Sequence, residues 1–178
     1  YAGGLSPSKL LWAAEQLADA VWHAHHNGLM HHDLKPANIL FEETANEQWN
    51  VPKIADWELA RTLLTHSDSV GVTTPKYIAP EQARNETTDQ RTDQFQLGIV
   101  LYELFTGSYP FVDDPGNAPE AALIKCILQN EPIPPSTRRP VLPKDVDQIL
   151  LRMLAKKPDT RYEAMLQVRN AFSNVTDK

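Results

Sequence analysis

The chain of 178 residues contains one cysteine, Cys126. That excludes an internal disulfide framework and suits a reducing compartment, so a cytoplasmic location is expected. Long hydrophobic runs are missing too. The longest strongly apolar stretch, Phe95 to Phe105, is interrupted by Gln96 and Glu103 and falls well short of a bilayer crossing, so no membrane span is expected in this segment. A basic surface is also lacking. The net charge is −6 and the only basic doublets are Arg138–Arg139 and Lys156–Lys157, which read as solvated loop charges, so no nucleic-acid partner is expected. There is no internal repeat and no low-complexity tract. Five of the six histidines crowd between His23 and His32, but without cysteine or carboxylate partners at zinc-like spacing they do not read as a metal site. The chain opens at Tyr1 rather than Met, which reads as a cut within a longer product.

What is present is an ordinary globular composition, 42% hydrophobic and 22% charged, enough for one domain with a sizeable core. Ser6-Pro7 reads as a helix N-cap followed by proline in the first turn. Leu10, Ala14, Leu17, Ala18, Val21 and His25 recur at helical spacing until Asn27-Gly28 supplies a stop. Asn38 to Phe41 and Val51 to Ala55 read as a hairpin joined by the polar stretch from Glu42 to Asn50. Arg61 to Thr74 has no period and reads as a loop. Phe95 to Phe105 is apolar almost all round, which marks a buried helix. Ala118 to Gln129, Asp145 to Leu154 and Arg161 to Phe172 read as further helices. The five prolines between Pro132 and Pro143 make that stretch a constrained connector. The expected fold class is mainly α, with one small β-hairpin.

The chemistry brackets that hairpin. His31-His32-Asp33-Leu34-Lys35-Pro36-Ala37-Asn38 precedes it, and Pro36 keeps the stretch out of a helix interior, so its side chains sit on a fixed loop. At this spacing Asp33 can accept a proton, Lys35 can neutralise developing negative charge and Asn38 can offer an oxygen to a hard cation. After the hairpin, Asp56 brings a second oxygen ligand back to the same neighbourhood. Each residue alone is common on loops and surfaces; the ordered set is not.

These residues resemble the signature set of eukaryotic-type (Hanks-type) Ser/Thr protein kinases: a His-Arg-Asp-Leu loop ending in Asn, an Asp-Phe-Gly and an Ala-Pro-Glu. Here the three read His31-His32-Asp33-Leu34 to Asn38, Asp56-Trp57-Glu58 and Ala79-Pro80-Glu81. Thr92-Asp93 with Leu97 to Leu104 is similar to the family's central buried helix, and Lys157 to Arg161 to its late Arg-containing turn. The resemblance implies a kinase C-terminal lobe spanning residues 1–178, a helical bundle with the hairpin at its catalytic cleft. It implies that Asp33 orients and deprotonates the substrate hydroxyl and Lys35 contacts the γ-phosphate. Asn38 and Asp56 would hold Mg2+, Leu40 would form part of the adenine floor, and Thr74 would sit in the peptide-binding loop and hydrogen-bond near Asp33 and Lys35. Asp93 would anchor the catalytic-loop backbone, Trp57 would pack towards His31, and Glu81 would pair with Arg161. The implied activity is transfer of the γ-phosphoryl of Mg-ATP to a protein Ser or Thr hydroxyl, with ATP and a protein substrate as partners.

Three departures shape the expectation. His32 stands where many members have an Arg that reads a loop phosphate, and an imidazole lacks the bidentate fork. Activation through a phosphate read at that position is therefore not expected. Asp56-Trp57-Glu58 has Glu where glycine would give backbone freedom, which should restrict swinging of Asp56. No glycine-rich loop and no strand lysine precede the catalytic loop, so the N-terminal lobe would have to be supplied in cis, and the chain alone is expected to have little activity. A pseudokinase, serving as a binding module, is the competing reading.

Overall fold

The computed structural model describes residues 5–42, 51–57 and 74–175. Glu58 and the loop hydroxyls from Thr62 to Thr73 lie outside these residues. Helix α1 (Pro7–His26) starts at Ser6, whose side chain accepts from the Lys9 N–H, with Pro7 in the first turn. It ends at Asn27, followed by Gly28 at φ 74°, a left-handed conformation that glycine adopts without strain. A 3-10 turn (Pro36–Asn38) leads into strand β1 (Ile39–Glu42), which pairs antiparallel with β2 (Val51–Ile54) in the register Ile39 to Ile54. A second 3-10 turn (Pro75–Tyr77) and the single-turn helix α2 (Pro80–Ala83) follow.

The centre of the molecule is α3 (Gln90–Thr106), capped by the Asp89 side chain and closed by Gly107 at φ 70°. It is buried along most of its length. Gly98 lets α6 approach: a Cβ there would stand 3.1 Å from Leu154 Cδ2 and 3.2 Å from Met153 Cβ. Around α3 lie α4 (Glu120–Gln129), α5 (Pro135–Arg138), α6 (Lys144–Met153), a 3-10 turn (Pro158–Thr160) and α7 (Met165–Ser173), the last packed along α1. Leu10, Leu17, Phe95, Leu101, Phe105, Ile127, Leu150 and Phe172 share one continuous core. No described helix is long and apolar enough to cross a membrane.

Three places differ most from the sequence reading, the first being the central helix, which begins at Gln90 rather than Phe95. The last helix begins at Met165, not Arg161, because Arg161 lies in a turn and its guanidinium is drawn inward. The proline-rich connector contains the helical turn α5, with Pro135 in its first position, where a missing N–H leaves no bond unmade. Asp147 on α6 accepts from both the N–H and the hydroxyl of Ser136 at 2.7 and 2.5 Å, fastening that turn to the bundle.

Arg161 holds the lower corner together. It forms two 2.8 Å bonds to the two oxygens of Glu81 and also donates to the carbonyls of Arg91 and Ala155. Thr92 donates its hydroxyl to Glu81 at 2.9 Å. Both charged residues are almost fully enclosed, at 2% and 1% exposure, so removing one partner strands the other's charge away from water. In the complete protein, Arg161→Met should lose about 3–5 kcal/mol in urea unfolding, and adding Glu81→Leu should recover much of that. A single-variant loss below about 1 kcal/mol would show that the pair does not hold this corner.

Candidate active site

The loop from His31 to Lys35 has no ladder partner, so its backbone groups depend on side chains from elsewhere. Asp93, on the first turn of α3, accepts from the N–H of His31 at 2.8 Å and of His32 at 2.7 Å. His25, at the end of α1, meets the same carboxylate at 2.7 Å. Burial alone pushes the Asp93 carboxyl up. The hydrogen bond and charge of His25 and the two backbone N–H groups outweigh it, and the net direction is down.

The reactive side chains stand on this braced loop. Lys35 Nζ lies 2.5 Å from Asp33 Oδ2, and Asn38 Nδ2 donates to the Asp33 carbonyl at 2.9 Å. Among the described residues the other Asp33 oxygen, Oδ1, is buried without a hydrogen-bond partner. An orphaned carboxylate oxygen beside an ammonium suits an incoming hydroxyl that can donate to it.

Asp56 joins this group through the backbone. Its neighbour Ala55 donates its N–H to the Asn38 carbonyl at 2.9 Å, and its carbonyl meets His31 Nε2 at 2.9 Å. Asp56 is exposed and takes φ 71°, a left-handed conformation that Asp tolerates better than most residues. Trp57 meets the His31 ring edge-on, with centroids 4.8 Å apart, and donates its indole N–H to the Ile54 carbonyl at 2.9 Å. His31 thereby ties the catalytic loop to the residues following the hairpin.

Magnesium takes oxygen donors and usually keeps only one or two from protein, filling the rest with phosphate oxygens and water. The Asn38 amide oxygen and the Asp56 carboxylate are oxygen donors of the kind such a site would use. Among the described residues no group of three His, Cys, Asp or Glu side chains can hold a metal by itself. Leu40 lies on the open side of β1, 55% exposed. Thr74 is exposed at the start of its 3-10 turn. The structure does not bond Thr74 to Asp33 or Lys35; the Lys35 ammonium is paired with Asp33.

Three residues in this network escape sequence reading: His25, Gln82 and Gln96. Gln96 donates to the His32 carbonyl at 2.8 Å and accepts from the Leu34 N–H at 3.0 Å, while Gln82 also reaches the His32 carbonyl at 3.2 Å. Only the helical spacing of Gln96 from Asp93, one turn on, could have signalled it.

A mostly helical scaffold with a hairpin beside an Asp-Lys-Asn loop defines a class of phosphoryl-transfer folds. Residues 2–173 match the family model of the protein kinase domain, and the chain belongs to that family. It is 36% identical over 172 residues to the Ser/Thr-protein kinase PknB of Mycolicibacterium smegmatis, covering 94% of this chain and 26% of that protein. It is 40% identical over 167 residues to PrkC of Bacillus subtilis, also a Ser/Thr-protein kinase, covering 90% and 24%. The kinase domain of Mycobacterium tuberculosis PknI superposes with a TM-score of 0.65 at 27% identity, covering 95% of this chain and 56% of that one. The chain thus spans about a quarter of the length of these curated relatives.

The depressed Asp93 carboxyl has a consequence for stability. Its contribution is present above the unfolded carboxyl value, about 3.9, and is lost as pH falls through the lower folded value. Asp93→Asn in the complete domain should therefore be less stable at neutral pH and show a shallower loss of stability below about pH 4. Parallel wild-type and variant curves in acid urea titrations would remove this role.

Proposed function

We propose that this chain is the C-terminal lobe of an ATP-dependent protein Ser/Thr kinase, and that it works in the cytoplasm with its N-terminal lobe in cis. The observation that carries the reading is the state of Asp33: one oxygen on Lys35, the other buried and unpartnered, on a loop whose backbone is fixed by Asp93. Phosphoryl transfer requires alignment and charge neutralisation more than covalent help from protein. Mg-ATP, when bound, supplies the transferred phosphoryl group together with a cation that offsets its charge.

The chain's own residues do the rest. Asp33 Oδ1 would accept the hydrogen bond of a Ser or Thr hydroxyl, aim its oxygen and take its proton as the new O–P bond forms and the bond from the γ-phosphorus to the β-phosphate oxygen breaks, with ADP as the leaving group. Lys35 places positive charge at the same opening. Asn38 and Asp56 provide the metal oxygens, Leu40 offers apolar surface for the adenine, and Thr74 lies in the segment that would bear the peptide. Retention of all four polar residues favours turnover over a pseudokinase. The chain by itself is expected to show little activity, since its sequence holds no glycine-rich loop and no strand lysine ahead of His31 to clamp the triphosphate.

Radiolabelled phosphate transfer by the complete protein tests this reading. Asp33→Ala should lower the rate by about 100- to 10,000-fold, and equal labelling by wild type and variant would end the catalytic assignment. His32 generates a second expectation. Because an imidazole lacks the guanidinium fork for phosphate, single alanine substitutions at Thr62, Thr65, Ser67, Ser69 and Thr73 should leave the rate within about twofold, roughly 0.4 kcal/mol in barrier height. A loss restored by an acidic residue at one of these positions would show that the loop is read as a phosphate after all.

A further inference from the structure

The catalytic loop is gripped from a second direction that Asp93 does not account for. Gln96 is fully buried, at 0% exposure, and Gln82 is nearly so. The two amides form one connected set. Gln96 Oε1 accepts from the Leu34 N–H, and Gln96 Nε2 donates both to the His32 carbonyl and, at 3.1 Å, to Gln82 Oε1. Gln82 Oε1 also accepts from the Ala79 N–H at 2.9 Å, and Gln82 Nε2 donates to the His32 carbonyl. The bonds of Gln96 therefore fall on the residues immediately before and after Asp33. Those of Gln82 run from there to the end of the segment that begins at Thr74.

The orientation of both amides is fixed by this pattern. Turning Gln96 over would set its NH2 against the Leu34 N–H and its oxygen against the His32 carbonyl, two repulsive contacts in a site without water access. The brace also acts where the backbone resists. His32 sits at φ 62°, a left-handed conformation costly for a side chain of this kind, and it persists only where the surroundings over-determine it.

We infer that Gln96 and Gln82 are positioning residues that set the direction of the Asp33 carboxylate and couple it to the peptide-bearing segment from Thr74 to Ala79. The inference rests on the kinase reading and adds a residue pair to it. A shift of the loop by a fraction of an ångström moves Asp33 Oδ1 away from the attacking hydroxyl, whereas Asn38 and Asp56, linked by the bond from the Ala55 N–H to the Asn38 carbonyl, take no bond from either glutamine. The loss should then appear in kcat rather than in nucleotide binding.

The experiment uses the complete protein with myelin basic protein as acceptor, following kcat, both KM values and the thermal midpoint for Gln96→Met, Gln82→Met and the double variant. Methionine keeps the length of the side chain and removes its hydrogen bonds. The expected result is a fall in kcat on the order of 100-fold for Gln96→Met. The KM for ATP should stay within about twofold, and the double variant should be no worse than the weaker single, as for residues acting as one unit. Gln96→Glu is the second probe. It retains the acceptor for Leu34 and removes only the donors, so it should lose kcat as methionine does. Unchanged kcat in folded Gln96→Met, or a loss that merely tracks the unfolded fraction, overturns the inference. So do independent, multiplicative effects of the two single variants. Asp33→Ala run alongside separates the two levels: if it is as active as wild type, the kinase reading itself falls, whereas an inactive Asp33→Ala beside fully active glutamine variants refutes the relay alone.

Discussion

One buried carboxylate organises the site. Asp93 is inaccessible to solvent and collects three donors: the N–H groups of His31 and His32 and the imidazole of His25. Unpaired burial of such a charge would be prohibitive; with its charge-assisted bonds satisfied, it becomes a rigid anchor. The catalytic loop needs that anchor because it is neither helix nor strand. Its backbone groups have no regular partners, and the side chains it carries can hold direction only if the backbone beneath them is fixed.

The anchor is credible because of where it stands. Helix α3 has no amphipathic stripe, and its buried face carries Thr92, Asp93, Gln94 and Gln96 among the apolar residues. Each is committed to a different neighbour. Thr92 serves Glu81 and hence Arg161; Asp93 and Gln96, one turn apart, serve the catalytic loop; Gln94 clasps both backbone groups of Tyr162 at 2.9 and 3.2 Å. The apolar remainder, with Phe95 and Leu101 fully buried, fixes the helix in the core. Hydrophobic burial supplies the stability, and the polar groups convert that rigidity into placement of loops.

How much of this was legible follows from the range of each signal. Helix α1 could be read from Ser6, Pro7 and the apolar spacing up to Asn27-Gly28, all local cues. The burial of α3 could be read from the stretch Phe95 to Phe105, apolar almost all round despite Gln96 and Glu103. The motif residues Asp33, Lys35 and Asn38 lie within six positions of one another, and the structure does bring them together. What stayed hidden depends on contacts across fifty residues or more. Gln96 reaches Leu34 over 62 positions and Gln82 reaches His32 over 50, and an isolated glutamine carries no mark of its partner. The misplaced start of the last helix has a similar origin. Helical spacing from Arg161 onward looked continuous, but the pull of Glu81, 80 positions away, keeps Arg161 in a turn. Thr74 shows the opposite failure: proximity inferred from motif order does not appear as a bond.

The same arrangement separates the two halves of the cleft mechanically. His32 and Asp56, both at positive φ, stand on either side of the hairpin, yet they are held differently. The His32 backbone is fixed by Asp93, Gln82 and Gln96 from the core of the lobe. Asp56 is held through Ala55 and the hairpin, by bonds to Asn38 and His31 that start from the loop itself. The hairpin's outer surface, with Leu40 and Phe41 exposed, makes no contribution to the bonds that set Asp33. The hydroxyl side is therefore held directly by side chains of the core, whereas the Asp56 side is held through the loop, at Asn38 and His31. A loop fixed from the core keeps the Asp33 carboxylate aimed and, through those two residues, positions the segment that follows the hairpin.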